Sequence, residues 1–158
     1  MLAVAVALVA SSGSSSEATA GGGDRRPGNG HPAPPTILVV EDEILVRLAV
    51  ADYLRKCGYR VLEASSGEEA QTILLSGEPV EILFSDVNLA GATNGFALAR
   101  WTRERYPNIR ICLTSGVAKM CEEAAGMCDG PLLRKPYSFV ELSDHIKRML
   151  GAFARRSG

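Results

Sequence analysis

From Thr36 onward, apolar residues recur in two alternating rhythms. The short continuous runs are Ile37-Leu38-Val39-Val40, Val80 to Asp86 with Ile82-Leu83-Phe84 at its centre, Ile109 to Leu113, and Leu132-Leu133. Apolarity unbroken over a few positions and then stopped by polar residues predicts strands buried on both faces. Tyr59 to Ala64 reads as a further short strand. Between these runs the spacing changes to that of a helix. Val46, Ala49, Val50, Tyr53, Leu54 and Cys57 form one stripe, closed by Gly58. Ser66-Gly67-Glu68-Glu69 has the spacing of a capping box and opens a helix through Leu75 that ends at Gly77. A third helix runs from Gly95 to Tyr106, stopped by Pro107, with Phe96, Leu98, Ala99, Thr102 and Tyr106 on one side. Val117 to Ala125 predicts a short fourth helix, and Pro131 at the head of the fifth strand suits a sheet edge. Ser138 to Glu141 is a second capping box, opening a last helix with the stripe Phe139, Leu142, Ile146, Met149, Leu150 and Phe153.

Five strands alternating with five helices imply an α/β fold, a doubly wound parallel sheet with helices on both faces. The five-stranded, flavodoxin-like version has strand order 2-1-3-4-5 and places ligands at the switch point between strands one and three. The division expected is an N-terminal extension over 1–35, one domain over 36–151, and a polar tail over 152–158. The extension has an apolar stretch from Leu2 to Ala10, a Ser/Gly-rich stretch from Ser11 to Gly30, then Pro32, Pro34 and Pro35. Its apolar part is too short to span a bilayer. It resembles a signal-peptide core but lacks a preceding Lys or Arg, so a disordered extension and linker is the expectation.

Composition narrows the field without choosing a function. Hydrophobic residues make up 46% and charged residues 22% of the 158, enough for a core of ordinary size. A net charge of −1 gives no global field for nucleic acid or an anionic membrane. Cys57, Cys112, Cys121 and Cys128 show no C-x-x-C pair and no zinc spacing; Cys57 and Cys112 read as small core residues. A reducing cytoplasmic setting follows as the default.

The strand ends carry the chemistry. Glu41-Asp42-Glu43 follows the first strand, Asp86 ends the third, Thr114-Ser115-Gly116 ends the fourth, and Arg134-Lys135-Pro136 ends the fifth. In a parallel sheet all these ends share one edge. Glu41, Asp42 and Asp86 would then crowd one pocket and repel. A hard divalent cation such as Mg²⁺ relieves that repulsion, keeps waters and accepts phosphate oxygens. Lys135 adds a positive charge and Thr114 a hydroxyl donor, which is the equipment phosphoryl transfer to an oxygen nucleophile needs. Taken singly, each residue has a plainer role, as a helix cap, a loop start or a solvated charge. Complementary chemistry at four of five strand ends argues against that plainer account.

With those residues in view, Thr36 to about Gly151 resembles the receiver domain of two-component response regulators. The resemblance is carried by Leu38-Val39-Val40-Glu41-Asp42-Glu43, Ser85-Asp86-Val87-Asn88-Leu89, Leu113-Thr114-Ser115-Gly116 and Leu133-Arg134-Lys135-Pro136-Tyr137. It implies that Asp86 accepts a phosphoryl group from a histidine kinase or histidine phosphotransfer protein. It implies Mg²⁺ held by the side chains of Glu41, Asp42 and Asp86 and by the backbone carbonyl of Asn88. Thr114 would bond the phosphoryl group, Lys135 would pair with it, and Lys135-Pro136 would be cis. Two positions depart from the family: Leu132 stands where an aromatic switch residue is usual, and Ala90-Gly91 replaces a frequent proline.

The function expected is a single-domain response regulator, not an enzyme. Its output would be a contact with an unknown downstream protein or a phosphoryl hand-off, with a homodimer as a candidate and neither nucleic acid nor membrane as a partner. The charged outer face of the last helix (Glu141, Asp144, Lys147, Arg148) is expected to be solvated. A phosphate sink for another regulator is the alternative. A Mg²⁺-dependent phosphohydrolase is weaker, because Glu41-Asp42-Glu43 lacks the usual Asp-x-Asp nucleophile and no cap domain is in view. A flavin binder would place a Ser/Thr/Gly loop, not three acids, after the first strand.

Overall fold

A computed structural model of the chain describes residues 33–116, 127–130 and 132–154. Five strands, β1 (Thr36–Val40), β2 (Arg60–Ala64), β3 (Ile82–Asp86), β4 (Arg110–Ser115) and β5 (Leu133–Arg134), form one parallel sheet in the order β2-β1-β3-β4-β5. The helices are α1 (Ile44–Lys56), α2 (Gly67–Leu75), α3 (Gly95–Arg105) and α4 (Phe139–Ala154). The expected architecture and strand order are therefore present. The expected helix over Val117–Ala125, the edge placement of Pro131, Cys121, the side chain of Phe153, and the 1–35 extension up to residue 32 all lie outside the described residues.

Alternation along the strands divides the core. Ile37, Val39, Ile82, Phe84 and Cys112 point to one face, where they meet Val50, Ala51 and Leu54 of α1 and Leu142, Ile146 and Met149 of α4. Leu38, Val40 and Leu83 point to the other, against Ala70 and Leu74 of α2 and Leu98 of α3. Both faces being covered explains why these strands read as continuous apolar runs. Burying one such Leu or Ile contributes about 2 kcal/mol, so packing behind the strand ends sets their positions even where the end residues repel.

The caps differ in detail. Ser138 and Glu141 form a reciprocal box: the Glu141 N–H donates to Ser138 Oγ at 3.2 Å, and the Ser138 N–H donates to Glu141 Oε2 at 2.7 Å. At α2, Ser66 Oγ accepts from the Glu69 N–H, but the Glu69 carboxylate reaches back one residue further, to the N–H and hydroxyl of Ser65. In α1 the buried arc is Val50, Ala51 and Leu54, with Val46 and Tyr53 half-buried. Ala49 and Cys57 are exposed, against expectation. Cys57 follows the last helical residue, just before the chain turns through Gly58 at φ 92° to enter β2.

The outer side of β4 is only partly covered by the two-residue β5. Further along, the Ile111 N–H donates to Asp129 Oδ2 at 2.8 Å, and Asp129 returns its own N–H to the Ile111 carbonyl at 2.9 Å. The Leu113 N–H donates to Cys128 Sγ at 3.4 Å. Arg103 of α3 holds this short segment by donating to the Met127 carbonyl and to Asp129.

Candidate functional site

Sheet register brings the strand-end residues together. Val40 pairs with Ser85, so Glu41 continues alongside Asp86; Asp86 pairs with Thr114, and Ser115 pairs with Arg134, one residue before Lys135. The Lys135 N–H donates to the Ser115 carbonyl at 2.9 Å, extending the ladder by one bond. The Lys135-Pro136 peptide is cis.

One ammonium bridges two strands. Lys135 Nζ lies 2.6 Å from Asp86 Oδ2 and 3.0 Å from Glu41 Oε2, with the carboxylate side chains 9% and 6% exposed and that of Lys135 28%. Carboxylate oxygens of Glu41, Asp42 and Asp86 all lie within 4.8 Å of one another. Burial pushes the Glu41 carboxyl above its usual range, with Asp86 adding to the rise and Lys135 opposing it. Burial works against the charged form of Lys135, yet the bonds to Asp86 and Glu41 outweigh it and raise that amine. Three hard oxygen donors of excess negative charge suit a divalent cation such as Mg²⁺, so the residues present fit that ion.

Backbone donors complete the carboxylates. The Asn88 N–H donates to Asp86 Oδ1 at 3.1 Å, and the Ala90 N–H donates to Asp42 Oδ2 at 3.1 Å. Arg47 donates to the Glu41 carbonyl at 2.7 Å. Neither Glu41 nor Asp42 caps α1, whose N-cap, Glu43, makes no side-chain cap bond. Glu41 Oε1 does accept the N–H of Glu43 at 3.3 Å, so this acid serves the start of α1 as well as the cluster. Thr114 is 1% exposed, and its Oγ1 finds no hydrogen-bond partner among the described residues. A buried hydroxyl left open beside a carboxylate is an unusual expense for a fold, and it suits an anion acceptor that arrives from outside.

Around this edge, Tyr137 packs edge-on to Phe84, with centroids 6.2 Å apart; burial pushes its phenol up to about 12. Leu132 is half-buried against the cluster of Val87, Ala99, Ile111 and Leu113. Gly95 is a position whose importance the sequence pattern alone did not reveal. A Cβ there would overlap the Asp86 carbonyl and come within 2.7 Å of Val87 Cα, so only glycine lets α3 start this close to the end of β3. The local signal was a poor helix former placed just inside a helix.

The site residues named from sequence thus meet at one edge, with Asn88 contributing its backbone next to Asp86. Comparison with known proteins identifies the family and the fold. The family model described as "Response regulator receiver domain" matches residues 37–147. The sensor kinase CckA of Brucella abortus is 38% identical over 119 residues, 73% of this chain but 12% of its own length. The chain spans about half or less of the other curated relatives it matches. A response regulator receiver protein from Sinorhizobium medicae superposes with TM-score 0.69 at 30% identity, covering 75% of this chain and 96% of its own. The response regulator TrrA of Thermotoga maritima, solved in complex with Mg(2+)-BeF, gives TM-score 0.66 at 25% identity, with coverage of 73% and 98%.

Proposed function

The chain belongs to the receiver-domain family of two-component response regulators, a signalling module, and on that premise we propose that Asp86 is its phosphoacceptor. The observation that carries this is the open Thr114 Oγ1, buried and in register with Asp86 on the neighbouring strand. An Asp86 carboxylate oxygen bonds phosphorus while the P–N bond of a phosphohistidine on a kinase or phosphotransfer protein breaks, its electron pair leaving with the imidazole nitrogen. The Thr114 hydroxyl then donates a hydrogen bond to a phosphoryl oxygen. Lys135, which bridges Asp86 and Glu41, turns part of its charge toward that group. Glu41, Asp42 and Asp86, with the Asn88 carbonyl, would hold Mg²⁺, which when bound supplies the positive charge that lets an anionic phosphoryl group approach a carboxylate.

Access favours a protein donor. Ile44, Leu45 and Leu48 at the start of α1 are 58%, 72% and 49% exposed, just past the acids of the site. An apolar patch beside a phosphorylation site suits a docking helix of the phosphodonor. The output would be a protein contact or a hand-off in a phosphorelay, from a domain spanning 36–151 in the cytoplasm. Leu132, an aliphatic and half-buried side chain at the usual aromatic position, makes an aromatic rotamer switch an unsuitable route for that output.

Incubation with acetyl phosphate and Mg²⁺ followed by intact mass tests the reading. One phosphoryl adduct on the wild type and none on Asp86→Asn is the expected result. A wild type that stays unmodified, or an equal adduct on the variant, overturns it.

A further inference from the structure

The loop from Val87 to Asn94 carries Asn88 and Ala90 over the carboxylate cluster, and it contains Gly91 at φ 111°. Its two ends are fixed. At the first, the Val87 N–H donates to the Thr114 carbonyl; at the second, Asn94 Oδ1 caps α3 and the Gly95 N–H returns to the Val87 carbonyl. Its middle hangs between two carboxylates from different elements. One is Asp42, which accepts from Ala90 and is itself a member of the cluster. The other is Glu68, in the first turn of α2. Glu68 Oε1 accepts the Thr93 N–H at 2.8 Å, and its Oε2 sits 3.2 Å from where a Gly91 Cβ would stand. Next to it, Gly67 is buried so closely under Thr93 that a Cβ would overlap the Thr93 carbonyl. The bond from its own backbone N–H, followed by those from Thr93 and Ser66, holds the Glu68 carboxyl below its usual range.

From this arrangement we infer that Glu68 is a positioning residue for the phosphorylation site: from α2 it fixes the β3–α3 loop so that the Asn88 and Ala90 backbone stays registered over Glu41, Asp42 and Asp86. The reason is competition. Asp42 has to serve both the loop and any cation the cluster takes up, whereas Glu68 stands outside that cluster and is free to keep its bonds to Thr93 and within the first turn of α2 when a cation arrives. Once Asp42 turns toward a cation, the tether through Thr93 remains and limits the freedom the loop would otherwise have to lose on binding. The inference rests on the metal role proposed above for Glu41, Asp42 and Asp86.

The test uses the full chain with Mg²⁺ alone as ligand, comparing wild type, Glu68→Ala and Glu68→Gln by calorimetric titration and by amide hydrogen exchange over residues 88–94. Glu68→Ala is expected to bind Mg²⁺ roughly two- to tenfold more weakly, the range that the net contribution of one ordinary hydrogen bond spans, and to exchange faster in the loop. Glu68→Gln, whose amide oxygen still accepts from Thr93, is expected to recover most of the affinity. With acetyl phosphate, the loss in Glu68→Ala should appear as a higher Mg²⁺ requirement and vanish at saturating Mg²⁺. Equal Mg²⁺ affinity in wild type and Glu68→Ala overturns the inference, as does a Gln variant as impaired as the Ala variant. A wild type that takes up no Mg²⁺ overturns the site reading itself, and this inference with it.

Discussion

Lys135→Met puts a number on the electrostatics of the site. Methionine keeps most of the packing of the lysine stem and removes the charge that bridges Asp86 at 2.6 Å and Glu41 at 3.0 Å. A fully exposed pair would contribute about 0–1 kcal/mol, and stripping one partner from a fully buried pair costs about 3–5 kcal/mol. Here both carboxylates are nearly buried while the ammonium side chain is 28% exposed, so a loss of about 2–3 kcal/mol is expected. Glu41 already stands above its usual range with the ammonium opposing the rise, so removing the ammonium lifts it further and proton uptake by Glu41 offsets part of the loss. In urea, with a slope of about 1–3 kcal/mol per molar, the unfolding midpoint should fall by roughly 1–2 M. If stranded charge is the cause, Asp86→Asn should soften the blow. Lys135→Met in that background should cost about 1 kcal/mol less, a coupling the double-mutant cycle reads directly. Mg²⁺ should stabilise Lys135→Met more than wild type, since a cation can replace the missing one. Equal midpoints for Lys135→Met and wild type without Mg²⁺, or a loss unchanged by Asp86→Asn, would refute the reasoning.

Other expectations are independent of that one. Thr114→Val removes a buried hydroxyl that has no described partner; thermal unfolding should show stability unchanged or raised by about 0.5–1 kcal/mol, while the acyl phosphate forms more slowly. Gly95→Ala separates propensity from packing: propensity alone predicts a gain of about 0.5–1 kcal/mol, whereas overlap with the Asp86 carbonyl predicts a loss of about 1–3 kcal/mol in chemical denaturation and a lower phosphorylation yield. His145 is buried in α4 with Nε2 unpartnered among the described residues, and burial, with Arg148, holds its imidazole below the usual 6.5. The unfolded chain then takes up the proton first, so stability is full above about pH 6.5 and falls as pH drops from there toward the folded value. His145→Asn should flatten that limb of the stability–pH curve, and parallel curves for the two proteins would exclude the histidine as its source.

The sheet and its order were legible because burial on both faces leaves continuous apolar runs, and because a parallel sheet gathers strand ends regardless of chain distance. Glu41, Asp86, Thr114 and Lys135 could be placed from that rule alone. What the pattern concealed were contacts whose partners are remote in sequence. Glu68 reads as an ordinary first-turn acid, since the Thr93 amide it holds lies 25 residues away. Asp129 carries no signal in the pattern, although it closes the ladder beside Ile111, 18 residues earlier. Cys57 and Ala49 were misplaced for a local reason. The periodic stripe does not say how wide an arc of α1 the sheet can cover, and the covered arc centres on Val50, Ala51 and Leu54.

The way Asp129 and Cys128 finish β4 also bears on how this protein can meet others. A bare flank invites a foreign strand to zip on through main-chain bonds, the simplest form of unwanted assembly. Here the amides of Ile111 and Leu113 are already occupied, by a side-chain oxygen and a sulfur. Those two donors are closed to a visiting strand. Recognition there has to be written in side chains, which can be changed one at a time without loosening the strands beneath.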